Sequence, residues 1–503
     1  MRRVRPLLLP TLSGVLYFLS WIGFGIWPLA FVCFVPLLFS LRGTTNKQAF
    51  LRGWWMGFVT HLGGYPWLIH LLRVFAGAPL PIAFVGYLGL CAAQGLLFAV
   101  MALGFVWLSR RTGWSAVAVL PISLAVAEFS VPLLFQSYTG VALMPVLPLV
   151  QIADLGGPIL ISALQATVNG ALFDAMLAYR ERTATPLRAM AFSLVALVAS
   201  GVYGLWRIVR IDEQQASAAH LRIGLAQPDV GELELHKNPY ASVRTLRDET
   251  AEMSARGALL GIWPEVGYNT RGVSVNATDG TAIQAGIPIA LIAGVERVSA
   301  KEQWNSAIAI DENGTIGDHY DKRQLLAFGE YIPFGEWFPQ VYEWLQLVGH
   351  LSRGTTTAPL RLLGYKFATF ICYEDILPDM VQDIMKDHGS GRANAMVNLT
   401  NDSWYGVGHE QEEHLMLAAV RSIEHRRWLL RSTSTGISAF VDATGRVVQR
   451  IDRDDRAVAV RDVPMLHGET VFEVLGMWPG WVALACFAWA FVFRRRKPSA
   501  SRA

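Results

Sequence analysis

The chain has 503 residues, 52% of them hydrophobic and only 17% charged, with 17 Trp and 25 Phe. Soluble domains carry about 25% charged residues, so this composition argues against a wholly soluble protein. The 43 Lys+Arg against 40 Asp+Glu leave a net charge of +3, which gives no reason to invoke nucleic acid.

Charge is unevenly spread. Residues 6–41 and 74–109 contain no Asp, Glu, Lys or Arg, whereas 213–473 carry charge at ordinary globular density. A membrane protein with one soluble domain is expected.

A membrane helix needs roughly 20 mostly apolar residues. Residues 6–41 are too long for one span and are interrupted near Gly23–Pro28, which predicts a two-helix hairpin. Further spans are expected within 53–72, 81–108, 115–134, 158–179 and 189–206, and an eighth at 474–493. Residues 129–153 also lack charge, but Pro132, Pro145 and Pro148 break helices, so an irregular or interfacial segment is expected there. The basic, apolar N-terminus resembles a signal peptide without a small-residue cleavage site, and is expected to be a retained anchor.

Sidedness follows from the excess of Lys and Arg on cytoplasmic loops. Arg2, Arg3 and Arg5; Arg42, Lys47 and Arg52; Arg110 and Arg111; Arg180, Arg182 and Arg188; and Arg494–Lys497 all fall on alternate connections, while the other short loops hold only Arg73. Eight spans with both ends inside place the soluble domain outside. The expected organisation is a seven-span domain over 1–211, an exported domain over 212–470, and a final helix with a basic tail over 471–503.

From residue 219 short β-type runs alternate with amphipathic helices. Strands are expected at 221–226, 259–263, 288–295, 305–310, 367–373, 395–399, 436–442 and 457–460. Helices are expected at 240–256, 376–387 and 412–426. This pattern predicts an α/β domain with a β core covered by helices. Residues 441–447 carry a hairpin-turn signature.

Cys33, Cys91 and Cys486 lie in apolar spans, where small packing residues are ordinary. Cys372 is the single Cys of the exported domain, so no disulfide partner exists within it. It lies between an apolar run and a helix-opening segment, Tyr373-Glu374-Asp375-Ile376-Leu377-Pro378. A thiol at such a turn is expected to face solvent and to have its pKa lowered by the helix end. A nucleophile also needs a base and an electrostatic stabiliser. Trp263-Pro264-Glu265 offers a carboxylate after a strand, and Tyr320-Asp321-Lys322 offers a cation; taken singly, each is an ordinary surface residue.

Taken together, these segments resemble the carbon–nitrogen hydrolase (nitrilase) superfamily, with its Glu–Lys–Cys triad in that chain order. The separations Glu265–Lys322 and Lys322–Cys372 are 57 and 50 residues. Asn398-Leu399-Thr400-Asn401-Asp402-Ser403-Trp404-Tyr405-Gly406 adds to the match, which covers about 219–465. The membrane spans around this domain, the segment Phe328-Gly329-Glu330-Tyr331-Ile332-Pro333 and Arg431-Ser432-Thr433-Ser434-Thr435-Gly436 extend the resemblance to the apolipoprotein N-acyltransferase family over the whole chain. That family often has a Trp near the domain start; residues 228–236 have none, so no substrate contact is carried over to that stretch.

The resemblance implies an αββα sandwich on a polytopic helical bundle of the bacterial inner membrane, with the catalytic domain on the periplasmic side. It implies Cys372 as nucleophile, Glu265 as general base, Lys322 as stabiliser of the tetrahedral intermediate, and Glu330, Tyr373 and Glu374 as supporting positions. A phospholipid would be the acyl donor and a diacylated apolipoprotein the acceptor, with no cofactor. The aromatic segment 331–350, with Trp337 and Phe338, is expected to act as an interfacial lid over the acyl chain. Two other functions remain open: a membrane-anchored amidase acting on a small exported amide, and a catalytically dead binding or transport protein. His409 and His414 invite a zinc reading, but histidines five apart share a helix face poorly, so no metal is expected. His61 and His70 are expected to pack or to bond their own helix.

Overall fold

A computed structural model describes residues 5–74, 77–231, 234, 237, 238, 240–326, 330, 331, 351–406 and 408–492. The chain divides into two compact units. The expected lid residues Trp337 and Phe338, and the basic residues Arg2, Arg3 and Arg494–Lys497, lie outside the described residues.

One unit comprises Met1–Pro66, Val85–Leu205 and Leu475–Ala503 and is helical among its described residues. Leu80–Thr112, Ala153–Glu181 and Leu187–Ser217 are long and apolar enough to cross a membrane; Pro6–Leu19, Trp27–Leu41, Ala116–Ser130 and Trp478–Val492 are shorter apolar helical stretches. The second limb of the expected hairpin is broken into a 3-10 turn, Trp27–Phe31, and a helix, Val35–Leu41, each with a proline in its first turn. The Ala30 carbonyl freed by that break accepts from Nδ2 of Asn169 at 2.9 Å and Nε2 of Gln165 at 3.0 Å, because an unpaired carbonyl has no water to turn to in lipid.

The segment expected to span within 53–72 is two helices, Asn46–Gly64 and Trp67–Val74, with Tyr65–Pro66 between them. Proline lacks the N–H that would continue the first helix. Thr45 and Gln48 start that helix with reciprocal side-chain bonds to each other's backbone N–H. His61 Nδ1 pairs with the Gly57 carbonyl at 2.7 Å, one turn back. Between helix Ala116–Ser130 and the helix that starts at Ala153 there are only a 3-10 turn, Thr139–Leu143, and a one-turn helix, Leu147–Val150, as the prolines predict. The next helix bends at Gly156–Gly157–Pro158, where Gly157 has φ +68.

The other unit comprises Trp67–Phe84 and Trp206–Val474. Its strands are β1 His220–Gln227, β2 Leu260–Ile262, β3 Tyr268–Ser274, β4 Ala290–Val298, β5 Gln303–Ile310, β6 Ile316–Asp321, β7 Leu360–Leu362, β8 Tyr365–Ile371, β9 Ala395–Thr400, β10 Leu429–Thr433, β11 Ser438–Val441, β12 Val447–Ile451 and β13 Ala457–Pro464. One sheet runs β13-β1-β2-β4-β5-β6, with β3 also paired to β4; the other runs β12-β11-β10-β9-β8-β7. Parallel pairs occupy the middle of each, β1–β2–β4 and β8–β9–β10. Such strands are covered on both faces and therefore read as apolar runs.

The sheets face one another, and the Ser432 hydroxyl of β10 donates to the Ala226 carbonyl of β1 at 2.8 Å. Helix Ala241–Ala255 covers the outer side of the first sheet through Leu246 and Met253. Helices Pro378–Met385 and Glu410–His425 pack on the second. The result is a helix–sheet–sheet–helix sandwich, and the loops leaving β2, β6 and β8 carry Glu265, Lys322 and Cys372.

Candidate active site

The parallel register of β1, β2 and β4 ends with Trp263-Pro264-Glu265 turning off the sheet. Gly294 of β4 lies directly beneath: a Cβ there would sit 2.1 Å from the Pro264 carbonyl oxygen, so the close approach requires glycine. Lys322 follows β6 and is held by a 2.8 Å bond from its N–H to the Asn305 carbonyl. Its ammonium donates to Glu265 Oε1 at 3.1 Å and to Glu330 Oε1 at 2.8 Å. Asn305 Nδ2 donates to the same Glu265 oxygen at 2.7 Å. Glu265 Oε2 is buried and has no hydrogen-bond partner among the described residues. Burial raises the Glu265 pKa despite Lys322 beside it, making the carboxylate a stronger base. Burial would lower Lys322, but the two carboxylates outweigh it and hold the ammonium well above its usual range.

Cys372 ends β8 and opens a 3-10 turn, Cys372–Ile376, ahead of helix Pro378–Met385. The thiol is buried at 6% exposure rather than solvent-facing. Burial, then Glu265, pushes its pKa well above the ordinary value, while Lys322 and the Thr400 hydroxyl pull it down. The expected lowering by a helix end is therefore overturned: desolvation and a neighbouring carboxylate dominate, so the resting thiol is protonated. Its backbone has φ +55, a left-handed conformation unfavourable for a residue with a Cβ.

Glu374 is fully buried. Its Oε1 accepts from the backbone N–H of Arg323 at 2.7 Å and Gln324 at 2.8 Å. Its Oε2 accepts from the Ile371 N–H at 2.7 Å and the Tyr320 hydroxyl at 2.9 Å. The Tyr373 hydroxyl donates to the Leu325 carbonyl, and its ring lies 5.9 Å from Lys322 Nζ. Glu265, Lys322, Glu330, Cys372, Tyr373 and Glu374 thus share one centre, whereas Trp337 and Phe338 fall outside the described residues.

Further residues join this centre, and of these Asn305 carries no signal of its own in the sequence. Asn305 is placed by the β4–β5–β6 register. Burial, then the neighbouring Glu410, raises the Tyr405 pKa, and Trp67 meets its ring edge-on at 5.1 Å. Asp402, Glu410 and His414 bring ligand-type atoms within 4.8 Å of one another. Arg431 already bonds Asp402 at 2.9 Å and lies 3.1 Å from His414 Nδ1, so a guanidinium supplies the positive charge there.

A family model of the apolipoprotein N-acyltransferase N-terminal domain matches residues 13–171, and a carbon–nitrogen hydrolase model matches 245–469. Apolipoprotein N-acyltransferases of Azotobacter vinelandii and Pseudomonas putida are each 28% identical to the chain, over 98% and 97% of it and 96% and 97% of their own lengths. That of Geobacter metallireducens is 26% identical over 98% of the chain and 96% of its own. With helices fit to span a membrane, both family models in chain order and relatives matched over nearly their full lengths, the chain is similar throughout to the apolipoprotein N-acyltransferases.

Proposed function

We propose that the protein is an acyltransferase that moves a phospholipid acyl chain onto the N-terminal amine of a diacylglyceryl-cysteine lipoprotein, through a thioester on Cys372. The observation that carries this reading is the Lys322 ammonium held between Glu265 and Glu330, with Glu265 Oε2 left without a hydrogen-bond partner among the described residues and the charge of Glu265 felt by a buried thiol.

Glu265 Oε2 takes the thiol proton as sulfur attacks the ester carbonyl. The carbon–sulfur bond forms, the carbon–oxygen bond breaks, and the leaving glycerol oxygen receives that proton. Lys322 stabilises the negative oxygen of the tetrahedral intermediate. The lipoprotein amine then attacks the thioester: the nitrogen–carbon bond forms, the carbon–sulfur bond breaks, and Glu265 passes the amine proton to the departing sulfur. Glu330 holds Lys322, while Glu374 and Tyr373 fix the loops. A thioester suits the sequence because it reacts readily with amines when water is excluded. Neither a small-amide hydrolase nor an inert binding protein accounts for a membrane domain matched together with a complete triad.

We further propose eight spans in the inner membrane, with the catalytic domain periplasmic. The loop pattern of Lys and Arg supports it, as do contacts within the helical unit. Arg42 pairs with Glu181, Arg110 bonds Asn46 at 3.0 Å, and Arg111 bonds the Ala490 carbonyl at 2.8 Å. All of these residues belong to connections or helix ends assigned to the cytoplasmic side. A reporter fused after Arg502 and active only in the exported compartment would overturn that orientation.

Intact-mass measurement of protein purified from membranes tests the chemistry. A single fatty-acyl group in place of the Cys372 hydrogen, lost in Cys372→Ala, is expected; an adduct that persists in that variant would refute the reading.

A further inference from the structure

Behind the Cys372 turn lies a closed ring of four ionisable side chains. Asp375 Oδ2 accepts from Arg431 Nη1 at 2.8 Å, and Asp402 Oδ2 accepts from Arg431 Nη2 at 2.9 Å. His414 completes the ring, with Nε2 2.9 Å from Asp375 and Nδ1 3.2 Å from Asp402. All four are buried. Burial and Arg431 oppose a charge on the ring of His414, but the neighbouring carboxylates prevail and push its pKa up to about 10; Glu410 also lies 3.8 Å from its Nδ1.

A buried ring of this kind is poor evidence of added stability, since apolar residues of similar volume often serve as well. Its connections indicate another role. Asp375 belongs to the same 3-10 turn as Cys372. Arg431 Nη1 also donates to Asn398 Oδ1 at 2.8 Å, and Asn398 Nδ2 donates to the Cys372 carbonyl at 3.0 Å. The ring therefore grips the nucleophile's backbone at two points, around the one residue of the turn with φ +55. Left-handed backbone at a non-glycine residue persists only where its surroundings over-determine it.

We propose that the Asp375–Arg431–Asp402–His414 ring, acting through Asn398, is a positioning device that clamps Cys372 in its left-handed conformation and aims the thiol at Glu265 and Lys322. The proposal rests on Cys372 being the nucleophile, and not on the identity of the acyl acceptor.

Asn398→Leu tests it, because it cuts the link to the Cys372 carbonyl and leaves all four charges paired. The readout is single-turnover acylation of Cys372 in the full-length, detergent-purified protein by p-nitrophenyl butyrate, a short activated ester that needs no lipid or lipoprotein. The saturating acylation rate should fall about 100-fold, the scale of a misplaced reacting group, with the half-saturating ester concentration within about twofold and Tm little changed. Arg431→Lys keeps a cation but loses the fork that holds Asp375 and Asn398 on one nitrogen and Asp402 on the other, and should show the same split. A folded Asn398→Leu variant that acylates within about threefold of the parent, or that loses only ester affinity, would overturn the proposal. If the parent is acylated by the ester yet never by phospholipid, the lipid reading fails while this one is still decided.

Discussion

The carboxylate of Glu374 and the backbone N–H of Arg323 are joined by a 2.7 Å hydrogen bond, which ties the turn of the cysteine to the loop of the lysine. Glu374 holds two further N–H groups, those of Gln324 and Ile371, and the Tyr320 hydroxyl. Glu374→Leu would strand these donors in the interior, where each costs about 1–3 kcal/mol. A fall in Tm of roughly 8–24 °C is expected, with a loss of acyl-enzyme formation larger than the change in substrate affinity. Unchanged turnover in a thermally weakened variant would show that the two loops do not depend on this tie.

Cys372→Ser should abolish turnover, because a hydroxyl is far less nucleophilic than a thiolate near neutral pH. Lys322→Ala should lose roughly 2.7–4 kcal/mol of transition-state stabilisation, by analogy with the loss of an oxyanion donor. It also leaves Glu265 and Glu330 facing each other without their shared cation. Near-normal kcat in the lysine variant would remove its assigned role.

Asn305 donates to the oxygen of Glu265 that Lys322 also holds. That bond favours the charged form, and its removal raises the carboxyl pKa further. In Asn305→Leu the acid limb of kcat/KM should therefore move to higher pH, by about one unit for a charge-assisted bond. A limb that stays in place, measured across the same buffers as the parent, would mean that Glu265 does not control it.

Glu249 is buried on helix Ala241–Ala255 with no hydrogen-bond partner for either carboxylate oxygen among the described residues. Burial lifts its pKa from 4.5 to about 8, against a weaker pull from Arg456. The folded pKa lies above the unfolded one, so its contribution is fully present below 4.5 and is lost as pH rises through about 8. Glu249→Gln, which resembles the neutral acid, should match the parent near pH 4 and gain on it up to about pH 8, by about 4 kcal/mol at most. Tm measured for both proteins across that range checks this; a constant difference would place the titration elsewhere.

The strands easiest to recognise from sequence were those buried on both faces by apolar side chains, such as β1, β4, β5 and β9. β10 is not evident from sequence although all five of its residues are buried, because Arg431, Ser432 and Thr433 find their partners on segments distant in the chain. β6 was hidden by Asp318, His319 and Asp321. Three site residues stood out through motif and order. Asn305 did not, since its role depends on strand pairing rather than on its neighbours in the chain. The state of the Cys372 thiol was misjudged for a related reason: the helix end is visible locally, whereas burial and Glu265 arrive from distant segments.

That protonated thiol has a consequence for the durability of the protein. Peroxides attack thiolates far faster than thiols, and sulfenic acid is the first rung toward irreversible loss. Under the proposed mechanism, a sulfur kept neutral and covered until an ester carbonyl reaches it is spared most of that damage between turnovers. The single cysteine of this domain can therefore persist without a partner to protect it.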